Sequence, residues 1–217
     1  MTRSDATNLK LEHATTPILS ADDRVIRGWC ERRIVRLGHE DRVAAHADRL
    51  FELLAPLHKL DADARRTLRR AAWLHDVGRC IADDGHEVHG ADMIAEDTTL
   101  PIDRAERKML AYLTRRHRGK VPTDDPLLDD RASRRTTRLL LGMLRAADAL
   151  DCRKCEPPTL IFEKRRTAVV VHVYATEPNR HLRKLGLGRK KFALLRDTLG
   201  IRIEVEVHLA ARLAMAA

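Results

Sequence analysis

The dipeptide Pro157-Pro158 divides the chain into two textures that no single class of secondary structure accommodates. Before it, apolar residues recur at helical spacing. After it, β-branched runs alternate with charged turns. The prolines mark the change because their rings remove an amide donor and clash with a preceding helical turn. The expected fold is mainly α, with a helical domain over residues 1–156 and a small C-terminal α+β subdomain (β-β-α-β) over residues 157–217.

In the helical part, Ser20 and Asp23 read as an N-cap, with Val25, Ile26, Trp29 and Ile34 at helical spacing up to Gly38. A second helix is predicted over about His39–Leu54, with Val43, Ala47, Leu50, Phe51 and Leu54 on its inner stripe and Pro56 closing it. A third begins at Asp61 or Asp63, carries Leu68, Ala71, Ala72 and His75 on one face, and stops at Gly78. A shorter fourth starts around His89, and a fifth follows Pro101, with Met109, Leu113 and His117 spaced by four. The segment TDDPLLDD, Thr123 to Asp130, reads as a loop before a sixth helix over Ser133–Leu150. Beyond the prolines, TLIFE and AVVVHVYA form a hairpin pattern, His181–Leu199 a basic helix, and IRIEVEVHL a half-buried strand. Together they predict a small antiparallel sheet under one covering helix.

Composition narrows the functions. With 217 residues the chain is long enough for one domain plus a small appendage, and at 3% aromatic its core must be aliphatic. The 41 basic residues against 32 acidic ones give a net charge of +9, which concentrates anions near the surface. Two Trp, two Tyr and three Phe are too few for a base-stacking platform, so nucleic acid is a disfavoured partner. The polar start MTRSDATNLKLEHATT lacks the apolar core of a signal peptide and no run is long enough to span a membrane, so a cytoplasmic location is expected. Of the four cysteines, Cys30, Cys80, Cys152 and Cys155, the last two form a CxxC without a second ligand pair and are read as two ordinary thiols.

The stretch AAWLHDVGR then stands out. His75 follows Ala71 and Ala72 on the inner stripe, and Asp76 falls in the last helical turn, where the dipole disfavours a bare carboxylate. A bound cation reverses that penalty. His39 begins the inner stripe of its helix four residues before Val43, His117 follows Leu113 by four, and Asp148 follows Leu144 by four, while His89 opens the fourth helix. Aspartates facing a core are among the residues least expected there for packing alone. Their convergence with histidines from separate helices fits a shared metal site. His46, two turns beyond His39, is read as a core residue; His86 as a neighbour of the site, substrate-facing or exposed; and His58, His172, His181 and His208 as solvated.

The order His39 … His75-Asp76 … Asp148 resembles the HD-domain phosphohydrolase superfamily, which carries H…HD…D on a helical core. The blocks HEDRVAAHADRLF, LHDVG, HEVHGADMI, RRHRGK and the tail LLRDTLGIRIEVEV are similar to the C-terminal HD-like domain of the exopolyphosphatase/guanosine pentaphosphatase (Ppx/GppA) family. The likeness runs from about Ala21 to Val207, without a counterpart of that family's actin-like phosphatase domain. The resemblance implies that His39, His75, Asp76 and Asp148 hold one divalent ion, and that His89 and His117 help to hold a second where two are bound. It implies a metal-dependent phosphohydrolase cleaving a phosphate ester or anhydride, with nucleotides, alarmones or polyphosphate as substrates and a metal-activated hydroxide as nucleophile. Asp76 would bridge the ions, Arg79 would face the phosphate with Arg116, Arg118 and Lys120 as further clamps, and the mixed ligand set suits Mn, Fe, Co, Ni or Zn. Polyphosphatase activity belongs to the missing domain and is not carried over. The rival reading is a non-catalytic regulatory module that binds a polyanion or a protein through the basic run Arg180–Lys191, and a homodimer is compatible with either.

Overall fold

The computed structural model describes residues 19–122, 131–153, 156–178, 182, 185 and 189–209. The expected Thr123–Asp130 loop, Cys155 and most of the basic run before Arg189 lie outside these. Six helices come first: α1 (Ala21–Glu31), α2 (Gly38–His58), α3 (Ala62–Leu74), α4 (His86–Glu96), α5 (Arg104–Arg116) and α6 (Arg131–Leu150). Strands β1 (Thr159–Lys164) and β2 (Ala168–Ala175), helix α7 (Arg189–Leu199) and strand β3 (Arg202–Leu209) follow among the described residues. The protein is mainly α with a small three-stranded sheet near its C-terminal end.

The helix starts follow capping chemistry. Ser20 Oγ accepts from the Asp23 N–H at 3.1 Å, Asp61 from Ala64 at 2.9 Å and Asp103 from Glu106 at 2.8 Å. Three ends differ from expectation. Helix α1 stops at Glu31, short of Ile34, and Gly38 opens α2 instead of ending α1. Helix α2 runs through Pro56 to His58, because a proline in the final turn forfeits only one backbone bond before the chain leaves through Lys59 at φ 55°. His58 is buried there, its Nε2–H donating to the Phe51 carbonyl and its Nδ1 accepting from Leu60, so it is not a solvated surface residue. Helix α3 stops at Leu74 rather than Gly78, and a 3-10 turn, Val77–Cys80, follows. The His75-Asp76 pair therefore sits just past a helix end.

Burial follows most of the predicted stripes: Ile26, Leu50, Leu54, Leu68, Leu113, Leu140 and Leu144 are all within 1% of complete burial, as are Leu74 and Leu110 beside them, whereas Val25, expected on the first stripe, is exposed. Each contributes roughly 1.5–3 kcal/mol relative to exposure, so the core is mainly aliphatic, with Trp29, Phe51, Trp73, Tyr112, Phe162 and Phe192 buried among these side chains. The same cluster continues across residue 156 into Val169, Val171, Val173, Phe192 and Leu195. Gly142 makes the contact between α6 and α7 close, since a Cβ there would lie 2.9 Å from Leu195 Cα.

The sheet order is β1-β2-β3. The hairpin is antiparallel, pairing Phe162 with Val171, but β3 runs parallel to β2 and pairs His172 with Glu206. The all-antiparallel expectation is thus corrected. Alternation fixes which side of a strand is buried but not its direction, and a parallel neighbour requires a crossover, which the segment bearing α7 supplies. No helix among the described residues is long and apolar enough to cross a membrane, and no disulfide joins the cysteines Cys30, Cys80 and Cys152.

Candidate metal centre

Helices α2, α3, α4, α5 and α6 each send one end or face toward a single point. His39 comes from the first turn of α2, His75 and Asp76 from the end of α3, His86 from the start of α4, His117 from the end of α5, and Asp148 from α6. Every one of the four imidazoles is almost completely buried, and so is Asp76.

The rings are oriented by the same device. The Nδ1–H of His75 donates to the Ala72 carbonyl at 2.8 Å, that of His86 to Asp83 at 2.7 Å and that of His117 to Thr114 at 2.6 Å. Because a carbonyl only accepts, each Nδ1 must carry the proton, which leaves Nε2 of the neutral ring with a bare lone pair. His39 is held likewise, its Nδ1–H donating to Asp151 Oδ2 at 2.5 Å, and Asp151 is in turn gripped by Arg42 at 2.7 and 3.0 Å.

Four lone pairs then face two carboxylates. Asp76 Oδ1 lies 2.9 Å from His86 Nε2, 3.5 Å from His117 Nε2 and 3.7 Å from His75 Nε2. Asp148 Oδ1 lies 3.5 Å from His39 Nε2 and 3.7 Å from His75 Nε2. Two sets of potential ligands result, His39–His75–Asp148 and His75–Asp76–His117, with His75 common to both. The other oxygen of Asp76 receives the Arg79 Nε–H at 2.8 Å and the Arg153 guanidinium at 2.6 Å, while Lys191 Nζ stands 3.4 Å from Asp148 Oδ2. Arg153 also pairs with the buried Glu40.

The electrostatics follow from this packing. Burial alone would raise the Asp76 carboxyl, but His75, His117 and His86 hold it far below the usual carboxylate range. Asp148 is held down in the same way by His39 and His75 against its burial. For His39 burial works downward, yet Asp148 and Asp151 prevail and lift it to about 9. His75 is also raised, by Asp76 and Asp148 against burial, whereas burial wins at His117 and lowers it.

Two observations test whether a cation suits these residues. His75 Nε2 is buried without a hydrogen-bond partner, a condition costing about 1–3 kcal/mol if nothing binds it. His86 and His117 bring their Nε2 atoms to 3.4 Å of each other, and with both rings neutral and protonated at Nδ1 two acceptors would meet there, a contact that a cation or an added proton relieves. Imidazole nitrogen and carboxylate oxygen at such separations are the donor set of a divalent transition metal, whose bonds are about 2.0–2.2 Å. The residues present fit the ion.

The structure brings together five of the six side chains that the sequence marks as metal ligands: His39, His75, Asp76, His117 and Asp148. It places His86, not His89, beside Asp76. The helix starts three residues earlier than expected, which turns His86 inward, while His89 is half-buried with its Nε2 lying back over Gly85. Arg79 reaches Asp76 and also pairs with Asp83. Arg118 and Lys120 are exposed, and Arg116 lines a cleft of about 440 Å³ between α4 and α5 with Arg104, Arg107, Lys108 and Arg115. His46 is half-buried, and burial of its ring pushes it down to about 4. Sequence reasoning missed Asp151, Arg42, Glu40 and Arg153, and it marked Lys191 only as part of the basic run, not as a neighbour of Asp148. Of these, only Glu40 and Arg42 carried a signal, as charged residues in the first turns of the helix that His39 opens.

A family model described as Ppx/GppA phosphatase, domain III, matches residues 23–173 of this chain, and the chain belongs to that family.

Proposed function

We propose that this Ppx/GppA domain III protein is itself a metal-dependent phosphohydrolase of the HD type, cleaving a phosphate ester or anhydride in a nucleotide, alarmone or polyphosphate-like substrate. The observation that carries this reading is the convergence of four Nε2 lone pairs, each fixed by its own Nδ1–H bond, on two buried carboxylates. A purely structural cluster has no use for an unpartnered His75 Nε2. His39, His75, Asp76, His86, His117 and Asp148 would hold one or two ions, with Mn, Fe, Co, Ni or Zn favoured over Ca by the nitrogen donors.

A divalent ion bound there supplies Lewis acidity and a water acidic enough to be a nucleophile near neutral pH. The chain's own residues do the rest. Asp151 and the carbonyls of Ala72, Asp83 and Thr114 keep the imidazoles in the tautomer that leaves Nε2 free to coordinate. Arg79 and Arg153, each 29% exposed at the side chain, reach from the buried Asp76 toward solvent and could exchange Asp76 Oδ2 for the oxygens of an arriving phosphate. Lys191 brings a third cation from α7.

Release of phosphate from a panel of nucleotides, alarmones and short polyphosphates, with each metal added in turn, tests the proposal. Activity should require the metal and vanish in Asp76→Ala. The second reading, a polyanion-binding module, draws on the basic cleft between α4 and α5. Salt-sensitive binding of polyphosphate that is unchanged in Asp76→Ala, with no hydrolysis under any metal, would favour it.

A further inference from the structure

The outer face of the sheet carries a second group of metal-binding side chains, sharing no residue with the helical centre. In the parallel pairing of β2 and β3, His172 lies opposite Glu206 and Tyr174 opposite His208, so the pleat sets all four on one side. His172 Nδ1 lies 3.1 Å from His208 Nε2 and 3.3 Å from Glu206 Oε2, and His208 Nε2 is 3.9 Å from the same carboxylate oxygen. Donors around a tetrahedral ion with bonds of about 2.0–2.1 Å are separated by roughly 3.3 Å, close to these values.

The surroundings hold the donors in place. His172 Nε2–H donates to Glu163 Oε2 at 3.1 Å, which leaves Nδ1 as the lone pair turned toward Glu206 and His208. Glu163 is itself anchored by Arg165 through two contacts of 2.9 Å. A carboxylate that accepts from the far nitrogen of a ligating imidazole is the usual outer support of a metal site. Tyr174 stacks on His208 with ring centroids 4.7 Å apart, and Val170 closes the same face of β2 in full burial. The three donors remain open to solvent, with side-chain exposures of 17, 43 and 40% for His172, Glu206 and His208. Two imidazoles and one carboxylate leave a coordination position for water or a further ligand.

We propose that His172, Glu206 and His208 form a second divalent transition-metal site, of the zinc class, which ties β3 to β2 across their parallel pairing. Metal uptake at this site stabilises the edge strand and is independent of the helical centre.

Calorimetric titration of the full chain with zinc alone, beside thermal melts with and without zinc, tests it. Wild type should bind one equivalent more than His208→Ala or Glu206→Gln. Both variants change exposed side chains and should match the metal-free wild type in their melts. Glu163→Gln should keep the stoichiometry and weaken that one equivalent by about 10–100-fold. Equal stoichiometry and affinity in wild type, His208→Ala and Glu206→Gln would overturn the proposal and leave a hydrogen-bonded cross-strand network. The helical centre is untouched in all these variants, so that result would not bear on the proposed hydrolase.

Discussion

His86 Nε2 stands 2.9 Å from Asp76 Oδ1, joining the first residue of α4 to the turn that follows α3. Of the polar contacts made by Asp76 Oδ1 this is the shortest, and it decides between two histidines three residues apart. His86→Ala should lower the affinity for the metal at least as much as loss of an outer support, about 10–100-fold, whereas His89→Ala should leave it unchanged. Titration of both variants with Mn or Zn, scored on the helical centre, separates them. Equal loss in both would return His89 to the site.

The buried Asp151 orients His39 by accepting its Nδ1–H at 2.5 Å. Asp151→Asn removes the charge that fixes the His39 tautomer while keeping its size. It should weaken metal binding by about 10–100-fold and leave the helical content intact. Comparison of metal affinity with the far-ultraviolet circular dichroism of the same sample provides the check.

Gly78 holds the 3-10 turn directly against α4. A Cβ there would lie 2.1 Å from the His86 carbonyl oxygen and 2.4 Å from the Gly90 nitrogen, so even alanine must push the two backbones apart. Gly78→Ala should cost about 1–3 kcal/mol or more in a urea melt and should weaken metal binding, because His86 moves with the helix start. Unchanged stability would show that the turn yields more easily than this packing implies.

Much of this centre was legible from helical spacing. Asp148 falls four residues after Leu144 and His117 four after Leu113, so a polar residue on an apolar stripe pointed inward in each case. The spacing failed at helix ends. Asp76 lies beyond the end of α3, and whether His86 or His89 turns inward depends on where α4 begins, which Gly85 at φ 70° determines. Asp151 and Arg153 follow the last turn of α6, where no period applies. Strand alternation likewise placed His172 and His208 near the surface but could not show that a parallel β3 sets them side by side, since that depends on the crossover through α7.

Asp97 gives the acid stability a defined sign. Hydrogen bonds from Thr99 and from the Trp29 indole, the latter at 2.6 Å, lower its carboxyl from 3.8 to about 2 despite partial burial. The unfolded chain takes up this proton first as the pH falls. The contribution of Asp97 is therefore complete above 3.8 and is lost as the pH drops toward 2. In urea melts followed by tryptophan fluorescence, Asp97→Asn should be less stable than wild type at neutral pH, and the difference should shrink through that window. A constant difference would mean that the contact does not depend on the charge.

The central claim is that the helical histidines and aspartates hold a transition metal. Elemental analysis of the purified His208→Ala variant, after reconstitution with Mn, Fe, Co, Ni or Zn and removal of loose ions, tests it without contribution from the sheet. The account predicts about one or two equivalents of metal, retained on dialysis and absent when Asp76→Ala is added. Folded protein that retains none of these metals would contradict it.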